Sequence, residues 1–523
     1  MTTPHAPTQA PTETPPDPRR WWALGALVAS MIVIGFDMTI LNVALPTMAT
    51  QLGANTGDQQ WIVDSYVVVF AAAMLPAGLL GDRFGRRRML ITGLLIFLAG
   101  SLGGTLAGSP GPVIAARTVM GLGAALVMPL ALSVLPSLFG PEERSKAVGA
   151  VTAAMALGMP LGPIIGGTLL DHFWWGSIFL INVPLVAIGV TACLLLLPET
   201  RDPAAPRVDT ASTLLTLAGL GALVFGIIEA PRDGWGDPLV LLMLFSGVAL
   251  LTGLVLRERT MARPMLDLGL LRHRGFLWNS VSATLVTFIL TGLLFLVPQY
   301  LQVVLGNDAF GTGLRLMPMM GGLLVAARGS APLVRRFGAR PVITAGLLVL
   351  TGAAVLGSRT AVSDGYGATA LWLSITGFAF GFAMIPAMDA ALGALPKDRA
   401  GSGSGLLMTL RQTGGAIGVA ILGSVIAGTY SDRLDTAGLP AAAAHAASGS
   451  VGAAHAVAAA LGDPALAASA NAAYVHGMDL ALLFCAAASL VAAVLVALFL
   501  PDPRTQAPAD DAALAPEAAD ARQ

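Results

Sequence analysis

The chain has 523 residues, of which 55% are hydrophobic and only 11% charged. That leaves too little polar surface to solvate a soluble globule of this length, and a lipid bilayer is the solvent the composition fits. A formal charge of -1 offers no basic surface for nucleic acid, and the two cysteines, Cys193 and Cys485, lie inside apolar runs as packing residues rather than as a disulfide or metal pair.

Residues 1–20 are rich in Pro and Thr and end in Arg19 and Arg20, the composition of a disordered arm. The apolar run that follows is too long for a cleaved signal peptide, so the first helix stays in the membrane. Runs able to cross a hydrocarbon core of about 30 Å begin near Trp21, Trp61, Met89, Pro112, Ala147, Ser177, Ala211, Leu239, Phe276, Gly313, Pro341, Ala368, Gly401 and Gly477, which predicts fourteen helices. Between the last two, residues 430–476 hold Ala-rich stretches broken by Pro440, Gly449, Gly452, Gly462 and Pro464. Each is too short to span, so an external helical hairpin is expected there rather than a fifteenth crossing. Residues 501–523 read as a second disordered tail.

Basic residues fix the orientation, because cytoplasmic loops collect Lys and Arg. With the N-terminus inside, the outer side keeps only Arg232, Arg359 and Arg433, while Arg117, Arg315, Arg328 and Arg411 fall within helices. Both termini are then cytoplasmic. The segment DRFGRR at Asp82 to Arg87 returns 253 residues later as RRFGAR at Arg335 to Arg340. This internal repeat predicts an all-α membrane protein of two six-helix halves, residues 21–197 and 276–500, joined by a linker over 198–275 with two extra transmembrane helices and a cytoplasmic loop.

A charge near the bilayer centre costs roughly 2.5 to 3.5 kcal/mol on insertion scales, so intramembrane ionisable groups face a partner or a cavity. Asp37 lies some sixteen residues into helix 1, about 24 Å along it, within reach of Arg117 at the start of helix 4. Arg117 beside it favours the carboxylate, whereas burial without that partner favours protonation. Alternation between the two makes a proton carrier; the alternative is a static ion pair joining helices 1 and 4. Asp64, with Trp61 and Tyr66, can attract a cation at the outer mouth, or the aromatics are belt anchors and Asp64 is solvated. Asp389 is expected to neutralise Arg411, and Glu229 to have no role. In the loop Gly81, Asp82, Arg83, Gly85, Arg86, Arg87, the acid can bind a neighbouring helix end or an Arg across the halves as a gate, or the arginines serve only as anchors. Gly158, Pro160, Gly162, Pro163, Gly166 and Gly167 in helix 5 allow a close helix crossing and a bend. No histidine lies deep in the membrane, and there is no P-loop, catalytic triad or metal spacing. Neither an enzyme nor a cofactor is expected.

GLLGDRFGRRR at Gly78 to Arg88 resembles the loop signature of the major facilitator superfamily. FDMTILNVALP at Phe36 to Pro46, RTVMGLGAA at Arg117 to Ala125 and GMPLGPIIGG at Gly158 to Gly167 resemble the helix 1, helix 4 and antiporter motifs of its fourteen-helix drug/proton antiporter branch. WIVDSY at Trp61 to Tyr66 and LRQTGGAIGVA at Leu410 to Ala420 are similar to members that export quaternary ammonium compounds. The resemblance implies a major facilitator fold and proton-coupled export of lipophilic, cationic drugs by a monomer in a bacterial plasma membrane, driven by the proton gradient through alternating access. In that scheme Asp37 and Arg117 couple the proton, and Asp37, Asp64, Trp61 and Tyr66 bind substrate. An uptake permease and a non-transporting receptor share the fold, but the antiporter motif argues against the first and the intramembrane Asp/Arg set against the second. Two departures stand out. WGSIF at Trp175 to Phe179 lacks the basic residue of the family's step before helix 6. Helix 10 holds no acid and helix 13 offers Arg411, so the acids of dication exporters are missing.

Overall fold

The computed structural model describes residues 20–139, 141–201, 209–261, 264, 267–362, 364–395 and 400–501, and among them it contains helices and no strand. The first half comprises α1 (Arg20–Leu52), α2 (Thr56–Phe84), α3 (Arg86–Thr105), α4 (Pro110–Leu138), α5 (Pro141–His172) and α6 (Ser177–Leu196). Next come α7 (Thr210–Asp233) and α8 (Pro238–Thr260). They are followed by α9 (Arg274–Val304), α10 (Ala309–Phe337), α11 (Ala339–Gly357), α12 (Tyr366–Gly393), α13 (Ala400–Arg433), the short α14 (Ala441–Gly449) and α15 (Val451–Leu461), and α16 (Pro464–Phe499). The expected tails, apart from Arg20 and Pro501, lie outside the described residues.

Twelve of these helices are long and apolar enough to cross a membrane. The α2 helix makes a thirteenth when Thr56–Met74 and Pro76–Phe84, which meet at 53°, count as one span. Pro76 explains the bend, since its ring removes a helical hydrogen bond. The remaining expected crossing is α5, 32 residues long but not among those thirteen. Helices α14 and α15 have 9 and 11 residues, too short to span at 1.5 Å per residue.

The packing repeats. In the first half α1 packs on α5 and α6, α4 on α2 and α3, and α3 on α6; α9 likewise packs on α13 and α16, α12 on α10 and α11, and α11 on α16. The turns that repeat in sequence also repeat in conformation. Gly85 and Gly338 stand 253 residues apart at φ 108° and 91°, each ending one helix and starting the next. Side chains rarely adopt that backbone region, which explains glycine at both positions. Arg87 donates to the Leu197 carbonyl at the end of α6, and Arg340, its partner in the repeat, donates to the Ala497 carbonyl near the end of α16. We call this the arginine face; the opposite end, crossed by α14 and α15, is the hairpin face.

The inserted pair sits outside the repeat. Helix α7 packs on both α2 and α13, whereas α8 packs chiefly on α7. Only 17% of the most apolar stretch of α8 is buried, against 72% for α1 and α9, which leaves α8 to lipid. Asp209 ties the pair together: it caps α7 through the Ala211 N–H and accepts both Nε and Nη2 of Arg257 from α8, at 3.2 and 3.1 Å. This fork holds its carboxyl down at about 2. Trp21 and Trp22 at one face, and Phe173, Trp174 and Trp235 at the other, are exposed, as the two aromatic belts of a membrane protein are.

Candidate transport site

The centre of the first half is an ion pair. Arg117 Nη1 of α4 donates to Asp37 Oδ2 of α1 at 2.7 Å, and the two side chains are 3% and 2% exposed. Arg117 Nε donates to the Ile62 carbonyl of α2 at 3.3 Å, and its guanidinium lies 4.2 Å over the Tyr66 ring, which stacks on Phe70. One cation on α4 thus holds a carboxylate on α1 and a carbonyl and an aromatic face on α2. A pair so buried is stable while both members are charged and costly once one is removed.

Glycines in α5 bring that helix against α1 beside Asp37. A Cβ at Gly158 would meet Phe36 N at 2.7 Å, one at Gly162 would meet Thr39 Oγ1 at 2.0 Å and Ile40 N at 2.9 Å, and one at Gly166 would meet Ile40 Cγ1 at 2.6 Å. The same helix then crosses to the second half. A Cβ at Gly167 would meet Phe310 Cα at 2.5 Å, and Gly313 of α10 leans on the Pro163 carbonyl, where its Cβ would come within 2.3 Å. The motif therefore supplies two close approaches, one to α1 and one to α10.

Contacts that join the halves gather at the hairpin face. Gln60 Nε2 of α2 donates to the Val419 and Ala420 carbonyls of α13, at 3.2 and 2.9 Å, and Gln302 Nε2 of α9 donates to the Val43 carbonyl of α1 at 2.6 Å. The Asp171 carboxylate at the end of α5 accepts the Ala309 and Phe310 N–H groups that open α10, at 3.2 and 3.1 Å. An acid at a helix N-terminus is favoured by the exposed amides there. Thr56 Oγ1 donates to the Gly449 carbonyl, and Tyr430 of α13 donates to the Ala447 carbonyl, so the hairpin touches both halves. None of Gln60, Gln302 and Asp171 was legible in the sequence as a residue that joins the halves. Their only signal is a polar side chain near a helix end, which is common.

The expected cluster of Trp61, Asp64 and Tyr66 does not form one surface. Trp61 turns to α7, where it packs on Phe225 at 6.0 Å. Tyr66 is buried under Arg117, and Asp64 is fully buried with no donor to either oxygen among the described residues. The solvated reading of Asp64 therefore does not hold. Glu229, expected to have no role, lines with Arg232, Ser431 and His445 a cavity of about 430 Å³ under the hairpin.

On the arginine face Asp82 Oδ1 accepts Nε and Nη2 of Arg86, at 2.9 and 2.8 Å, and Arg86 Nη1 holds the Ser133 carbonyl of α4. Glu199 accepts the Arg87 N–H and packs against Gly85, where a Cβ would come within 2.4 Å of its Oε1. Gly81 fits against Leu130, and Arg83 lies over Phe84. The acid of this loop thus binds within its own half; the carboxylate that reaches across is Asp171. The expected pairing of Asp389 with Arg411 is also absent. Arg411 Nε donates to Thr287 Oγ1 at 3.2 Å, its Nη1 lies 3.3 Å from the sulfurs of Met388 and Met408, and Asp389 is exposed. Sequence gave both residues their depth along the helix but not their direction around it.

Two repeated helical halves, a buried ion pair in one and hydrogen bonds that join the halves at one end are the architecture of a multi-pass membrane carrier. The chain belongs to the Major Facilitator Superfamily, whose family model matches residues 27–419. This is a family of transporters, not enzymes. The chain is 34% identical to a tetracenomycin C resistance and export protein of Streptomyces glaucescens over 79% of this chain and 77% of that one. It is 33% identical to a puromycin resistance protein of Streptomyces alboniger over 82% and 86%, and 34% identical to the multidrug resistance protein Stp of Mycobacterium tuberculosis over 77% and 75%. In fold it is similar to a bacterial homolog of the human lysosomal transporter Spinster, solved in an inward-facing conformation, at a TM-score of 0.65 and 18% identity over 93% and 99% of the two chains.

Proposed function

We propose that the chain exports lipophilic drug-like molecules across a bacterial plasma membrane in exchange for protons, by alternating access and as a monomer. The relatives named for antibiotic and multidrug resistance support the substrate class. The observation that carries the coupling is the Asp37–Arg117 pair, buried and 2.7 Å apart. A proton arriving at Asp37 neutralises it and releases Arg117, which weakens the tie between α1, α2 and α4; loss of the proton restores it. Because α5 packs on α1 beside Asp37 and on α10 across the seal, a shift at the pair reaches the closing contacts through one rigid element.

The arginine face is cytoplasmic in this reading, and the hairpin face, external, is the closed one. No cofactor enters the cycle. A proton falling through about 150 mV supplies roughly 3.5 kcal/mol, enough for a few hundredfold gradient of a neutral drug. Exchange of one proton for one monovalent cation moves no net charge and draws on the pH difference alone; only with more than one proton per cation does the membrane potential add to the drive. The expected preference for cations rests on Asp64, a buried carboxylate without a donor.

Dye efflux from energised cells tests the proposal. Efflux should stop when a protonophore collapses the gradient; efflux that continues unchanged contradicts it.

A further inference from the structure

The second half holds an intramembrane cation that proton coupling does not use. Arg411 stands well inside the 34-residue helix α13, about 17 Å from its start. Its Nε donates to Thr287 Oγ1 at 3.2 Å, and the Thr287 hydroxyl spends its own proton on the Ala283 carbonyl at 2.8 Å. Its Nη1 rests 3.3 Å from the sulfurs of Met388 and Met408, which are weak acceptors. Among the described residues no carboxylate lies within 4.0 Å of it. Asp389, next to Met388, is exposed and has no ion pair among the described residues. A charge at this depth needs a partner or water, and among the described residues Arg411 has only one hydroxyl and two thioethers as partners. The first half differs: Arg117 is committed to Asp37, and at the 253-residue offset Arg411 answers to Gly158, which has no side chain at all.

We propose that Arg411 receives the anionic group of the exported molecule, a carboxylate or an ionised phenol on an aromatic skeleton. A guanidinium fork suits such a group because it donates two parallel hydrogen bonds. Met388 and Met408 flank it with flexible, polarizable thioethers that adapt to rings of different shape. The inference rests on the export reading and narrows its substrate class from lipophilic drug-like molecules to lipophilic acids, in place of the cations expected from Asp64. Asp64 is then a group the acid must avoid, and it belongs to the other half.

Binding to the purified full-length protein in detergent tests this, read by fluorescence anisotropy with two dyes of one ring system, anionic fluorescein and cationic tetramethylrhodamine methyl ester. The protein should bind fluorescein, Arg411→Gln should weaken that binding about tenfold or more, and Arg411→Lys should weaken it less. The cationic dye should respond to neither variant, and Asp389→Asn should leave fluorescein binding unchanged. Equal fluorescein affinity in the parent and Arg411→Gln proteins overturns the assignment, as does preference of the parent for the cationic dye. Because no gradient is involved, a protein that binds fluorescein through Arg411 yet exports nothing refutes the export reading alone.

Discussion

Arg117 Nη1 lies 2.7 Å from Asp37 Oδ2 in an interior where both side chains are all but inaccessible. Removing one partner of such a pair leaves the other buried and uncompensated, at about 3–5 kcal/mol. Arg117→Ala and Asp37→Asn should therefore each lower thermal stability in detergent, since either change leaves one buried charge without its partner. Residual transport by Arg117→Ala should also follow a different pH profile from the parent's, since the tie that a proton at Asp37 is proposed to break is already gone. Comparable small losses for both variants, with an unshifted pH profile, would leave the pair without this role.

The glycines of α5 predict a graded set. Gly162→Ala places a methyl 2.0 Å from Thr39 Oγ1 and 2.9 Å from Ile40 N, and overpacking of this kind costs about 1–3 kcal/mol. Gly221→Ala in α7 meets nothing within 4 Å and should be neutral or slightly stabilising, since Ala is the better helix former. Thermal unfolding in detergent measures both, and a neutral Gly162→Ala contradicts the close crossing.

On the arginine face Asp82→Asn removes the acceptor of two Arg86 hydrogen bonds, whereas Arg88 is 76% exposed and 3.5 Å from Glu199. Transport should fall well below parent levels in Asp82→Asn and stay near them in Arg88→Gln at matched expression. Equal, small losses return the loop to anchoring alone.

How much of this was legible in sequence depends on what each feature needs. Asp37 and Arg117 stood out because intramembrane charge is costly, and depth alone brought them together. The hairpin over residues 430–476 was legible because Gly and Pro interrupt every apolar stretch before spanning length. The contact of Trp61 with Phe225 was not, because it depends on where the inserted α7 docks. Asp389 lies near the inner end of α12 and Arg411 near the middle of α13, and Asp389 turns outward where Arg411 turns to Thr287 and the methionines. Asp171 looked like an ordinary helix-end acid until α10 was placed beside it.

Asp209 predicts a pH dependence for the inserted pair. Its carboxyl is held at about 2 by the Arg257 fork, below its ordinary value of about 3.9. A depressed acid stabilises fully above its unfolded value and loses that contribution as pH falls through the folded one. Asp209→Asn should therefore lower the unfolding temperature at neutral pH, and the difference from the parent should begin to shrink only below about pH 4. A constant difference down to pH 2 would mean that the ion pair contributes nothing.

Orientation has its own check. A reporter fused after Arg504 should be cytoplasmic, and one inserted near Ser448, in the hairpin, external. Reversed signals would invert the assignment of the two faces.

Proton coupling at Asp37 is tested most directly in reconstituted vesicles, with transport followed across a pH series at fixed membrane potential. Asp37→Asn, folded and inserted, should lose export driven by a pH difference while keeping downhill exchange of the drug. Uphill export by Asp37→Asn with only a pH difference imposed would show that another group carries the proton.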